Sequence, residues 1–105
     1  MEKICLVYTT ASNKKEAVKI GEKIVGMRLA ACVNIFDGVS SCYWWEGKQE
    51  KTKEAVLVLK TRRALLPKIE KAIKKLHSYS CPCIVALPAV YVSRDYAKWV
   101  ERETK

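Results

Sequence analysis

The segment Ser41-Cys42-Tyr43-Trp44-Trp45-Glu46-Gly47-Lys48 determines the architecture, because it joins two long extended stretches through a tight turn. β-favouring aromatic residues lead into the predicted hairpin tip at residues 46–48, and residues 50–61 return from it. Twelve extended residues reach ~40 Å, whereas a 100-residue domain has a radius of gyration of ~13 Å. The hairpin is therefore predicted to project, and its aromatic side chains need a cover, for which a second copy of the chain is the natural candidate.

The other strands are short apolar runs. Residues 4–10, 31–36 and 83–87 each fit a strand, and the first is bounded by a polar cluster. Asp37-Gly38 marks a turn or bulge between residues 31–36 and the aromatic segment. The sequence thus predicts four strands, of which the second and third form the long hairpin.

Three helices are predicted between and after these strands. Asn13 caps the first, with Glu16 as its capping-box partner, and the helical spacing of apolar residues runs to about Leu29. Pro67 fits only the first turn of the second, which should begin near residue 63 and end near residue 77. Ser93 caps the third. The order β-α-β-β-α-β plus a terminal helix predicts an α+β, ferredoxin-like fold with both main helices on one face of an antiparallel sheet.

Composition narrows the class of protein. A chain of 105 residues that is 50% hydrophobic predicts one domain, residues 1–105. The net charge is +9, but the lysines are scattered without a long block and the aromatic residues are not interleaved with them, which disfavours nucleic acid as the main partner. No apolar run approaches the ~20 residues that span a bilayer, so no membrane association is expected. An odd number of cysteines, five, without a signal peptide favours a reduced cytoplasmic protein.

The segment from His77 to Cys83 contains one imidazole and two thiols, the largest concentration of potential metal ligands in the chain. Imidazole and thiolate both suit copper and zinc, and in an extended Cys-Pro-Cys the two thiols share one face, ~6.5 Å apart at Cα. We therefore predict a copper site, for Cu(I) or Cu(II), formed by His77, Cys81 and Cys83. The alternatives are that His77 only complements the helix dipole and that both cysteines are small hydrophobic residues entering a strand.

An enzymatic activity is not expected from these residues. A Cys–His pair would need a third group to orient it, and no local motif supplies one. The sequence also lacks a phosphate-binding loop and a His-Glu-x-x-His helix. The chain is therefore predicted to be non-enzymatic, without an organic cofactor.

Five strings of residues, in order along the chain, are similar to one family. They are 30–34 (Ala-Ala-Cys-Val-Asn), 43–48 (Tyr-Trp-Trp-Glu-Gly-Lys), 59–61 (Leu-Lys-Thr), 77–79 (His-Ser-Tyr, with Pro82 and Ile84 after it) and 96–99 (Tyr-Ala-Lys-Trp). Together they resemble the CutA family of divalent-cation tolerance proteins, over residues 8–99. The resemblance implies a tight homotrimer in which the long hairpins pack edge to edge, a role in the response to divalent metal ions such as copper, and no established reaction.

The resemblance is incomplete at the metal ligands. Family members proposed to bind copper use the histidine that matches His77, a histidine just before it, and a cysteine at the end of the first strand. This chain has Leu76 and Tyr8 at the last two positions. Cys81 is outside the family pattern, and Cys83 stands where many relatives carry glutamate. Metal binding here would therefore use a different ligand set.

A second hypothesis follows from the trimeric ferredoxin-like architecture, which resembles that of the PII signalling proteins. It is a signalling or scaffold trimer that binds a small anionic ligand between subunits. Lys60, Thr61 and Tyr79 match the family pattern and would line that cleft, with Lys60 holding the anion. The alternative is that these three residues form only a hydrogen-bonded interface.

Overall fold

The sheet has four strands in the spatial order β2-β3-β1-β4, and every pairing in it is antiparallel. The computed structural model describes residues 3–105. The strands are β1 (Ile4–Ala11), β2 (Cys32–Trp45), β3 (Lys48–Arg62) and β4 (Ile84–Pro88). The helices are α1 (Lys14–Gly26), α2 (Leu66–Leu76) and α3 (Arg94–Glu103), with a 3₁₀ turn (Arg63–Leu65) before α2. The predicted ferredoxin-like α+β fold with a terminal helix is confirmed.

The first helix begins at the predicted cap. Asn13 Oδ1 accepts a hydrogen bond from Glu16 N at 2.8 Å, while Glu16 Oε1 accepts from the backbone N–H and the hydroxyl of Ser12 at 2.9 and 2.8 Å. The carboxylate therefore returns to the residue before the cap. The predicted end at Leu29 is wrong, because Arg28 takes a left-handed conformation (φ 63°) that turns Leu29 back into the core after α1 has ended.

The main core lies between the sheet and the pair α1 and α2. Ile20 and Ile24 of α1 pack there with Leu57 and Leu59 of β3, and all four are at most 1% exposed. Gly21 lets the helix approach the sheet closely, because a Cβ at that position would lie 3.1 Å from a methyl group of Val33. A smaller cluster beneath α3 contains Ala97 and Val100.

The hairpin of β2 and β3 is the longest feature of the molecule. The two strands have 14 and 15 residues, and Trp45 pairs with Lys48 at the tip. Glu46 and Gly47 both have positive φ, 49° and 80°, as a two-residue type I′ turn requires. The register shifts at the predicted bulge, next to Gly38. The principal dimensions are 44 × 25 × 22 Å, so the predicted projection of the hairpin is confirmed.

Both edges of the sheet expose apolar side chains. On β2, Phe36 is 55% exposed and Trp44 73%. On β4, Val85 is 49% and Leu87 52% exposed. An edge strand with apolar side chains and unpaired backbone groups is a surface for adding another strand. No helix in residues 3–105 is long and apolar enough to cross a membrane.

Candidate functional site

A pocket of about 600 Å³ lies between the hairpin and the α2–β4 loop. Three cysteines line it: Cys42 from β2, and Cys81 and Cys83 from the loop. All three cysteines are exposed. The alternative that Cys81 and Cys83 are small hydrophobic residues of a strand does not hold, because both are exposed and β4 begins at Ile84, one residue later than predicted. The sequence does not predict the placement of Cys42 beside them, because Cys42 lies about 40 residues away along the chain.

The side chain of His77, directly after α2, is buried, and its ring forms hydrogen bonds to the backbone of two other residues. This side chain is 1% exposed. Nε2 donates a hydrogen bond to the carbonyl oxygen of Thr10 at 2.7 Å, since that oxygen can only accept. Nδ1 accepts from the backbone N–H of Tyr79 at 3.0 Å. Both ring nitrogens are thus engaged within the fold, and neither offers a free lone pair to a metal ion.

The predicted metal ligands are therefore only partly brought together. Cys81 and Cys83 line the pocket, and His77 is not among the lining residues. Within residues 3–105, no group of three or more His, Cys, Asp or Glu side chains is placed to hold a metal ion. Among the described residues, a soft metal ion could use the two thiols of the loop, but it would not find a complete three-ligand centre. Copper binding at this place stays a prediction.

The environment of Cys83 works against its ionisation. Partial burial, and then the negative charge of Glu54, raise the pKa of the Cys83 thiol. A thiol with a raised pKa is mostly protonated at neutral pH, so binding of a metal ion by Cys83 would release a proton.

Glu54 supplies the negative charge of the pocket. It is 7% exposed, and its Oε2 accepts a hydrogen bond from the Tyr79 hydroxyl at 2.9 Å. Burial raises the pKa of Tyr79 well above its usual range, and the bond to Glu54 raises it further. Tyr79 is therefore a neutral donor. The rings of Tyr43 and Trp45, from the end of β2, line the same pocket.

Glu16 connects the start of α1 to the loop that forms the pocket. Its Oε2 accepts a hydrogen bond from the backbone N–H of Ser78 at 2.9 Å, in addition to the bonds from Ser12. Burial by itself would raise the pKa of Glu16, but the hydrogen bonds from Ser12 and Ser78 lower it from 4.5 to about 2. Together with His77, this carboxylate fixes the first residues of the loop.

The residues expected to hold an anion do not meet within one chain. Thr61 is fully buried and donates its hydroxyl to the carbonyl oxygen of Leu29 at 2.6 Å. Lys60 Nζ lies 6.0 Å from the centre of the Tyr96 ring of α3. Lys60 lies six positions beyond Glu54 on β3, about 20 Å along the strand. Lys60 and Thr61 are therefore away from the pocket that Tyr79 lines.

Comparison with known proteins gives one consistent result. The family model described as CutA1 divalent ion tolerance protein matches residues 5–103. The divalent-cation tolerance protein CutA of Pyrococcus horikoshii is 40% identical over 100 residues, which cover 95% of this chain and 97% of that one. The chloroplastic protein CutA 1 of Oryza sativa is 38% identical over 100 residues. The match covers 95% of this chain but only 56% of that relative.

Solved structures agree in fold over nearly the whole chain. The crystal structure of CutA1 from Oryza sativa superposes with a TM-score of 0.96 at 36% identity, covering 99% of this chain and 95% of that one. The divalent cation tolerance protein (Cut A1) from Thermus thermophilus superposes with a TM-score of 0.93 at 38% identity, covering 100% of both chains.

Proposed function

Because the chain belongs to the CutA1 divalent ion tolerance family, we propose that it is a non-enzymatic protein that acts in tolerance of divalent metal ions. The observation that carries this proposal is the family match over residues 5–103, together with relatives of nearly the same length that bear the name divalent-cation tolerance protein. The chain spans just over half the length of the first plant relatives, so what those longer proteins do is not transferred.

The working unit is proposed to be a homotrimer. β2 and β4 lie at opposite edges of the sheet, and both carry exposed apolar side chains. A contact between the β2 edge of one copy and the β4 edge of the next is head-to-tail, and such a contact closes into a ring when the rotation allows. Three copies in a ring would leave no edge strand unpaired and would cover the exposed side chains of Phe36 and Trp44 on β2.

The metal ion is proposed to be a soft one, Cu(I), carried by the thiols of Cys81 and Cys83. Both thiols are exposed, both stand on the loop before β4, and both line one pocket. Sulfur ligands select Cu(I) over the hard divalent ions. His77 stabilises this loop by accepting a hydrogen bond from the backbone N–H of Tyr79.

The cytoplasm is the proposed compartment. All five cysteines are unpaired, which fits a reducing environment. Recovery of the native protein with the soluble markers of the cytoplasm in cell fractionation would support this, and recovery in another compartment would refute it.

The metal proposal is tested by competition between the protein and a Cu(I) chelator. We expect the Cys81→Ser/Cys83→Ser variant to bind Cu(I) at least about tenfold more weakly than the unchanged chain. Cys32→Ser is the matched control, since Cys32 lies on β2 outside the pocket, and it should leave the affinity unchanged. Equal affinity in the double variant and the unchanged chain would refute the role of the two thiols.

A further inference from the structure

The pocket between the hairpin and the α2–β4 loop combines one carboxylate with a wall of aromatic rings. The rings belong to Tyr43, Trp45 and Tyr79, and the carboxylate is that of Glu54. The volume, about 600 Å³, is within the range of about 300–1,000 Å³ that is typical of small-molecule sites. The dimensions thus suit an organic molecule of several heavy atoms, larger than a metal ion.

The charge of this pocket has the opposite sign to that of the chain. The net charge is +9, yet no Lys, Arg or His side chain lines the pocket within the described residues, and Glu54 is the one lining residue with a full charge. Glu54 is 7% exposed and receives a single hydrogen bond, from Tyr79, in the described part of the chain. A carboxylate shielded from water without a cation is costly, so a cation that enters the pocket is favoured there and an anion is repelled.

We propose that this pocket binds a small organic cation, a substituted ammonium with an apolar body, whose charge lies between the Glu54 carboxylate and the rings of Tyr79 and Tyr43. Aromatic faces attract ammonium groups, and the attraction grows when the site is partly shielded from water. Cys81 and Cys83, which also line the pocket, provide contacts for the apolar body. The inference is independent of copper binding, because it depends on Glu54 and the rings rather than on the thiols.

The probe for this site is choline, compared with its neutral isostere 3,3-dimethylbutan-1-ol, in which carbon replaces the charged nitrogen. Binding is followed by the fluorescence of the tryptophans and by calorimetry, on the full chain with a metal chelator and a reducing agent present. We expect choline to bind at least about tenfold more tightly than the isostere. Equal binding of the two would show an apolar cavity without charge selection. No saturable binding up to about 10 mM choline would show that the pocket is closed, for example by a side chain of a second copy; either result overturns the proposal.

The decisive variant is Glu54→Gln, which removes the charge and keeps both the size of the side chain and an acceptor for the Tyr79 hydroxyl. We expect its affinity for choline to fall at least about tenfold. The control Glu22→Gln removes the same charge from the exposed face of α1 and should leave the affinity unchanged. Unchanged binding in Glu54→Gln would refute the role of the carboxylate. If Glu54→Gln does not fold, the comparison of choline with its isostere on the unchanged chain still decides the question.

Discussion

Among single residues, His77 and Glu16 hold the loop that forms one side of the pocket. His77 Nδ1 accepts from the N–H of Tyr79, and Glu16 Oε2 accepts from the N–H of Ser78. The other ring nitrogen of His77 reaches back to the carbonyl of Thr10 on β1. The loop is therefore tied to a strand and a helix before it reaches the thiols, which fixes the position of Tyr79 against Glu54.

The substitution His77→Ala separates a structural role from metal binding. It leaves the carbonyl of Thr10 and the N–H of Tyr79 without their partner in a part-buried place, so we expect a loss of about 2 kcal/mol in the free energy of unfolding. Denaturant unfolding measures that loss. The affinity of the folded variant for Cu(I) should be unchanged, because neither ring nitrogen is free in the native protein. A large loss of affinity with full stability would instead identify His77 as a ligand.

Glu16→Gln tests how the capping carboxylate makes stability depend on pH. The pKa of Glu16 in the folded protein, about 2, lies below its ordinary value of 4.5. As the pH falls, the Glu16 carboxylate therefore takes up a proton in the unfolded chain before it does so in the folded protein. The stabilisation that ionised Glu16 provides is complete above about pH 4.5 and is lost as the pH falls towards 2. At pH 7 we expect the free energy of unfolding of the unchanged chain to be about 1 kcal/mol larger than that of the variant. Unfolding curves between about pH 2 and 7 should show the difference shrinking in acid; a constant difference would contradict this account.

Among the helices, strands and turns, the sequence predicts best where neighbours along the chain determine the structure. The turn at Glu46-Gly47, the cap at Asn13 and the bulge beside Gly38 are local, and all three are present. The end of α1 differs from its prediction because Arg28, a residue with a Cβ, takes the left-handed conformation that glycine usually supplies.

The pocket could not be predicted from the sequence, for a reason different from that for the end of α1. Strand pairing and loop placement bring Cys42, Glu54 and Cys83 together over long distances along the chain. The pattern of residues within one helix or strand predicts that helix or strand, but it does not predict which distant segments of the chain come into contact. There is accordingly no signal for this cluster in the sequence. The sequence therefore identifies Cys81 and Cys83 as candidate site residues but gives no reason to place Cys42 or Glu54 beside them.

The tip of the hairpin is tested with Gly47→Ala. Gly47 has φ +80°, a conformation in which a Cβ is strained, so alanine should cost about 1 kcal/mol in the free energy of unfolding. Gly26→Ala is the matched control. Gly26 ends α1 without positive φ, and apart from its chain neighbours and the adjacent backbone of α1, no described atom lies within 4 Å of where its Cβ would be, so alanine there should be neutral or slightly stabilising. Chemical unfolding at one fixed protein concentration compares the two; equal effects would argue against strain at the turn.

In the molecule as a whole, the sheet ends on both sides in an unpaired strand with apolar side chains. Trp44 on β2 is 73% exposed, and Leu87 on β4 is 52% exposed. A chain that stayed a monomer would keep these surfaces in water and would be prone to open-ended association. Closed, head-to-tail pairing of the two edges removes both surfaces at once, and the projecting hairpin gives that pairing its length.

The substitution Leu87→Lys tests the pairing of the edges in solution. In the proposed trimer the new charge would be buried at each of the three contacts without a partner, so the variant should dissociate. Light scattering should give about 36 kDa for the unchanged chain, three times its 12.0 kDa, and a mass nearer that of one chain for the variant. Met27→Lys places the same charge after α1, where Met27 is 47% exposed on the opposite, helical side, and should leave the mass unchanged. A trimer that survives Leu87→Lys would show that β4 is outside the interface, and a monomeric unchanged chain would refute the trimer itself.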